Sequence, residues 1–252
     1  MIRLDNLCVG YRRQTALQQV SGTFAPGSLT AVMGPNGAGK SSLLKALVGA
    51  LPLRSGALQL GVPVNRVAYL PQLAEIDRSF PISVHDCVML GAWGAAGAVR
   101  RIDANLRARV DQALQTVGLE GLEQRAIGTL SSGQLQRALF ARLLVQDAPL
   151  ILLDEPFNAV DGRTTQALQE IVARWHAEQR TVVAVIHDEV QARLHFPQTL
   201  LLAREVVAWG KTSDVLQDVH LQRVRRLAES WESDGAEAAR SGAWDRPTAV
   251  SA

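Results

Sequence analysis

The chain has 252 residues, of which 47% are hydrophobic and 20% charged, and its 26 basic and 24 acidic side chains leave a formal net charge of +2. That hydrophobic content excludes a chain disordered throughout, which needs few apolar residues and a high net charge. The near balance of charge gives no basic footprint for nucleic acid, and the two cysteines, Cys8 and Cys87, stand too far apart in sequence to suggest a disulfide framework or a paired-thiol metal site.

The first residues place Asp5 where a signal peptide would be apolar. No stretch approaches the roughly 20 apolar residues that a bilayer-crossing helix requires. The expectation is a chain that stays inside and crosses no membrane by itself. Leu29–Met33 is a short apolar run that ends at Gly34, the mark of a strand. Leu43–Leu51 follows with helical spacing and is closed by Pro52. Arg66–Leu70 is a second strand candidate, ending at Pro71. Between Gln72 and Asp147 the texture changes: Ile102–Val117 and Ser132–Gln146 have helical periodicity and no strong strand appears, so a mainly helical insertion is expected. Leu150–Leu153 and Thr181–Ile186 are near-continuous apolar runs, the pattern of parallel strands buried on both faces. After Leu227 the composition shifts to Ala, Ser, Gly and charge, which predicts a flexible tail over 229–252, although Trp231 and Trp244 are unusual in such a segment.

Gly34-Pro35-Asn36-Gly37-Ala38-Gly39-Lys40-Ser41 fits the phosphate-loop pattern GxxxxGK[ST], and it lies between a predicted strand and a predicted helix. The chemistry explains the composition. Glycines let several backbone N–H groups turn toward phosphate oxygens. The helix N-terminus adds partial positive charge. Lys40 reaches the outer phosphates, and the Ser41 hydroxyl is suited to Mg²⁺.

In an open parallel sheet, ligands bind beyond the carboxyl ends of the strands. Four predicted strands here end in groups suited to phosphate chemistry: the phosphate loop itself, Gln72 after Pro71, Asp154 with Glu155 after Leu153, and His187 after Ile186. Asp154 is placed to hold Mg²⁺, Glu155 to polarise the attacking water, His187 to contact the terminal phosphate, and Gln72 to sense metal and water. Singly, each has a plainer reading: Asp154 as a helix cap, Glu155 as a solvated charge, His187 as a structural hydrogen-bonding group. Ser131, in Leu130-Ser131-Ser132-Gly133-Gln134, likewise reads from spacing alone as an N-cap.

The ordered series of motifs resembles the ATP-binding subunits of ABC transporters, from about Met1 to Leu227. Gly34–Ser42 is similar to Walker A, Gln72 to the Q-loop glutamine, Leu130–Gln134 to the LSGGQ signature, and Leu150–Glu155 to Walker B with its catalytic glutamate. Ala159-Val160-Asp161 resembles the D-loop and His187 the switch histidine, while Tyr11 stands where the family has an adenine-stacking aromatic. The signature ends at Gln134, 20 residues before Asp154, and that combination with a phosphate loop is highly specific. Ser132 replaces the usual glycine, and the D-loop is a mild variant.

The resemblance implies an α/β fold: a P-loop NTPase (RecA-like) parallel-sheet core with N-terminal antiparallel strands. The core would cover about 1–72 and 147–228, with a helical subdomain over about 73–146. It implies ATP and Mg²⁺ as cofactors, with catalytic Glu155, His187 and Gln72. ATP would be bound by Tyr11, Gly34, Pro35, Asn36, Gly37, Ala38, Gly39, Lys40, Ser41 and Ser42, and magnesium by Ser41, Gln72 and Asp154. It further implies a head-to-tail homodimer in which Ser131, Ser132, Gly133 and Gln134 cover the partner's nucleotide, with Asp161 in the D-loop. An integral membrane permease and, indirectly, an extracytoplasmic binding protein are the expected partners, with the chain at the cytoplasmic face of the inner membrane. Phe80–Val88 and Glu155–Asp161 resemble zinc and manganese importer subunits. An iron-chelate or haem importer, a soluble ABC ATPase and a P-loop kinase are the competing readings.

Overall fold

The computed structural model describes residues 1–11, 14–93, 104–158 and 160–240, with the backbone alone at 14 and 232–240. The chain opens with β1 (Ile2–Tyr11) and β2 (Gln14–Phe24), an antiparallel pair, followed by β3 (Leu29–Met33), α1 (Lys40–Leu47), β4 (Leu53–Leu60) and β5 (Val67–Leu70). The next segment holds α2 (Val84–Met89), α3 (Ala104–Thr116) and α4 (Ser132–Gln146). Then come β6 (Leu150–Leu153), α5 (Gly162–Ala177), β7 (Thr181–Val185), α6 (Glu189–His195), β8 (Gln198–Leu202), β9 (Val206–Lys211), α7 (Thr212–Val215) and α8 (Asp218–Arg240).

Two sheets result. One has three antiparallel strands in the order β2-β1-β4; the other has six in the order β5-β6-β7-β3-β8-β9, parallel except for β9. Side chains alternate across the larger sheet, because successive residues of a strand point to opposite faces. Val32, Val183, Val185, Leu200 and Leu202 face a core shared with α1 and the antiparallel sheet. Ala31, Met33, Val182, Ala184 and Leu201 face a second core shared with the helices. Burial on both sides is why β3, β6 and β7 are nearly all apolar, with Thr30 and Thr181 as the exceptions, as the sequence predicts.

The helical segment is fastened to the sheet by packing and by hydrogen bonds. Phe140 of α4 stacks on Trp175 of α5 with ring centres 5.8 Å apart. β5 is an edge strand, and its outward carbonyls at Val67 and Tyr69 accept hydrogen bonds from Gln146 and Arg142 of α4. Those two bonds cover backbone groups that an edge otherwise leaves open.

Several boundaries differ from the sequence reading. α1 starts at Lys40, directly behind Gly39, and stops before Gly49, whose φ of 74° ends the helix. Val64–Arg66 forms a 3₁₀ turn, so the strand begins at Val67. The larger correction concerns the tail. Residues 229–240 continue α8 rather than leave the fold. Leu221, Val224, Leu227 and Trp231 recur at helical spacing and pack against the core, which stabilises a helix whose other faces are charged. Residues 241–252, with Trp244, lie outside the described residues. Among the described residues no helix is long and apolar enough to cross a membrane.

Candidate functional site

The carboxyl ends of β3, β5, β6 and β7 sit side by side in the sheet, so the residues that follow them are delivered to one edge. From β3 comes the phosphate loop. Its backbone is tightly confined: a Cβ on Gly34 would lie 2.1 Å from the Leu202 carbonyl oxygen, and one on Gly39, at φ 92°, would lie 2.4 Å from that of Ala16. Only glycine fits either place. The loop lines a pocket of about 210 Å³ with Asn36, Gly37, Ala38, Gly39, Lys40, Ser41, Ser42, Gln72 and Glu155. Lys40 is buried, and its Nζ donates to the carbonyls of Gly34 at 2.8 Å and Pro35 at 2.9 Å. Burial lowers the Lys40 pKa, against the opposing pull of Glu155 and Asp154.

Asp154 and Glu155 follow directly on β6. The Asp154 N–H donates to the Leu70 carbonyl, and its side chain is buried. Oδ1 accepts a hydrogen bond from Ser41 Oγ at 3.0 Å, while Oδ2 is buried with no partner among the described residues. Desolvation raises the Asp154 pKa to about 6; the Ser41 bond opposes the shift, and the charges of Glu155 and Glu75 add to it. A buried carboxylate oxygen with an unused lone pair, beside a serine hydroxyl and the Gln72 amide, is an oxygen-rich donor set that fits a hard divalent cation. Glu155 adopts φ 53°, a left-handed conformation disfavoured for a residue with a Cβ. Three donors hold its carboxylate there. Gln72 Nε2 reaches Oε1 at 2.7 Å, His187 Nε2 lies 2.8 Å from the same oxygen, and Asn158 Nδ2 reaches Oε2 at 2.5 Å. Gln72 Nε2 also lies 3.2 Å from Ser41 Oγ. Strain at a charged residue fixed by its neighbours is characteristic of functional sites.

Thus Lys40, Ser41, Gln72, Asp154, Glu155 and His187 converge, and the signature residues stand apart. Ser131 caps α4: its Oγ accepts from the Gln134 N–H, and the Gln134 side chain accepts from the Ser131 N–H, a complete capping box. Ser132 Oγ accepts from Arg78 at 3.2 Å. Gly133 lies close to Asp161, whose side chain caps α5 through Thr164. Tyr11 is exposed at the end of β1, outside the pocket lining. Sequence reasoning took Asn158 as part of the Glu155–Asp161 stretch, without its bond to Glu155; its position three residues after Glu155, in a turn, is the signal for that contact. It also missed Gln136, which donates from α4 to the Pro156 carbonyl at 2.7 Å and so ties the signature helix to the β6 loop. No sequence signal marks that bond, because Gln136 lies within an otherwise apolar helix face.

Residues 17–158 match the family model of ABC transporters. This chain belongs to the ABC transporter family. It is the ATP-binding, ATP-hydrolysing subunit of such a transporter. It is 38% identical over 227 residues to the zinc transport system ATP-binding protein TroB of Treponema pallidum, covering 88% of this chain and 85% of that one. It is 34% identical over 226 residues to the manganese transport system ATP-binding protein MntB of Listeria monocytogenes, covering 88% and 94%. Among solved structures, an inward-facing transporter described as of metal-chelate type superposes with a TM-score of 0.78 at 27% identity, covering 89% and 88%. A dimeric bacterial ABC transporter cassette superposes with a TM-score of 0.74 at 25% identity, covering 84% and 99%.

Proposed function

We propose that this ABC ATPase drives uptake of a divalent metal ion, zinc first and manganese second, through a separate permease at the cytoplasmic face of the membrane. The observation that carries the catalytic part is the Glu155 carboxylate, held by Gln72, His187 and Asn158 beside the phosphate loop. The loop amides and Lys40 bind the phosphates of ATP, with Tyr11 as a platform for the base. Ser41, Asp154 and Gln72 would hold Mg²⁺, which neutralises phosphate charge when bound. Glu155 accepts the proton of the attacking water, and His187 keeps the carboxylate aimed. Two copies face each other head to tail, so that Ser131 to Gln134 of one copy, flanked by Asp161, close over the nucleotide of the other. A self-capped helix end lying outside its own chain's pocket, together with the dimeric state of a similar cassette, supports that arrangement. Hydrolysis then releases the closed state and works the permease.

The metal cargo rests on the zinc and manganese relatives at 34–38% identity. The metal-chelate type of the similar inward-facing transporter favours an iron-chelate cargo as the second reading. Uptake by the assembled transporter in vesicles tests the choice: zinc or manganese accumulation that requires ATP is expected. Accumulation of a ferric chelate with neither ion moved would sink the metal-ion reading.

A further inference from the structure

Trp231, expected in a flexible tail, lies half-buried against both hydrophobic cores, with the guanidinium carbon of Arg204 4.3 Å from the centre of its ring. Arg204 occupies the turn between β8 and β9 with φ 60°, a left-handed conformation disfavoured for a residue with a Cβ. Its backbone is engaged on both sides. The Arg204 N–H donates to the Ala38 carbonyl of the phosphate loop at 3.0 Å, and its carbonyl accepts from the Gln18 N–H at 2.7 Å. Two residues earlier, the Leu202 carbonyl fills the space that a side chain on Gly34, the first glycine of the loop, would need. One residue later, Glu205 pairs with Arg223 of α8 at 3.0 Å. The turn therefore touches the phosphate loop at both Gly34 and Ala38, and α8 grips the turn through Trp231 and Arg223.

We propose that Arg204 is a positioning residue for the phosphate loop and that Trp231, through it, sets the affinity for nucleotide. The proposal rests on the reading of Gly34–Ser42 as the ATP site. The amides of that loop bind phosphate only while the backbone keeps its curl. The Ala38 carbonyl is tied down by a turn that is itself strained. Stacking on the indole face is what keeps that turn in place. Trp231, midway along α8, thereby acts on a pocket that it does not line.

The test is titration of the full chain with a fluorescent ATP analogue, alongside KM and kcat for ATP. Trp231→Ala should weaken binding and raise KM about three- to tenfold, in line with loss of one cation–π contact, while kcat stays within about twofold. Trp231→Phe keeps an aromatic face and should restore most of the affinity. Arg204→Ala keeps the strain and drops the clamp, so it should lose at least as much as Trp231→Ala. Arg204→Gly relieves the strain and should recover part of that loss. Combining Trp231→Ala with Arg204→Ala should cost no more than Arg204→Ala alone, since both break one contact. Unchanged affinity in Trp231→Ala, additive losses, or no rescue by phenylalanine would each overturn the proposal. If Trp231→Ala does not fold, Arg204→Ala and Arg204→Gly decide it, because both leave Trp231 packed. Lys40→Ala in the same titration separates the two ideas. Normal binding there removes the ATP-site reading, whereas lost binding there with a silent Arg204→Ala removes only the role of the turn.

Discussion

The phosphate loop and its neighbours close on one another within a single chain, whereas the serine-headed end of α4 satisfies its polar groups by itself. Around Glu155, donors from the ends of two other strands and one from its own turn meet one carboxylate. At Ser131 the side-chain hydrogen bonds are local, the serine and Gln134 capping each other, and only the neighbouring Ser132 draws a distant donor, Arg78. The difference separates two kinds of order. The first is imposed by the sheet, which brings residues 83 positions apart, Gln72 and Glu155, to 2.7 Å. The second is built from a five-residue motif and needs no tertiary partner to form. The donors of the first kind all come from one copy. A preformed helix end of the second kind is suited to complete a site elsewhere.

The sharpest way to break this contrast is to disable each side in turn. Glu155→Gln removes the proposed base while keeping hydrogen-bonding capacity, and should slow ATP hydrolysis by about 10²- to 10⁴-fold, the usual range for a positioned general base. ATP should then hold two copies together, and light scattering behind a sizing column checks this; a variant that stays monomeric with ATP would remove the head-to-tail arrangement. Lys40→Ala should weaken ATP binding roughly 10- to 100-fold, as expected for losing a charged hydrogen-bond donor. Ser131→Ala should leave ATP binding to a single chain intact yet depress turnover of the assembled transporter. It also removes the cap of α4, at about 1 kcal/mol of stability, measurable by denaturant titration. Equal loss of binding and turnover in Ser131→Ala would place the signature in its own chain's pocket.

Asp154 sharpens the comparison from the side of stability. Its pKa is raised to about 6 in the folded chain by burial. The folded state therefore binds the proton more tightly than the unfolded state does. The charged form costs stability that is absent below an unfolded pKa near 3.9 and fully present above about 6. Asp154→Asn should raise the melting temperature of the nucleotide-free chain at pH 8, with a gap over the unsubstituted chain that shrinks toward pH 4. A gap independent of pH would mean that packing, not charge, sets the difference. The smallest effect is expected from Ser132→Gly, which restores the usual signature residue and gives up only the bond to Arg78: a change of about 0.5 kcal/mol or less.

Much of this was legible because it is local. Leu150–Leu153 and Ser132–Gln146 are bounded in the structure as their apolar pattern predicts. The glycines of the phosphate loop stand where a strand must turn into a helix. The antiparallel strands β1, β2 and β4 follow from the family resemblance rather than from their own patterning, since each is half exposed and β1 carries register shifts in both pairings. The hold of Gln72 and His187 on Glu155 is not visible in sequence, because it depends on strand order, whereas Asn158 lies only three residues away. The continuation of α8 past Leu227 was obscured by the surrounding Ala, Ser and charge. Its anchor is one indole meeting a guanidinium from a turn 27 positions earlier, a pairing that no periodicity reports.

Lys40 has a consequence for anion binding. Its ammonium is committed to two backbone oxygens of its own loop, at 2.8 and 2.9 Å. An incoming anion must outbid those carbonyls before it gains the cation. A triphosphate brings several oxygens to the same ridge of amides at once, so its gain from the loop does not rest on the lysine alone. Lys40→Met should therefore weaken ATP in competition binding without abolishing the contribution of the amides.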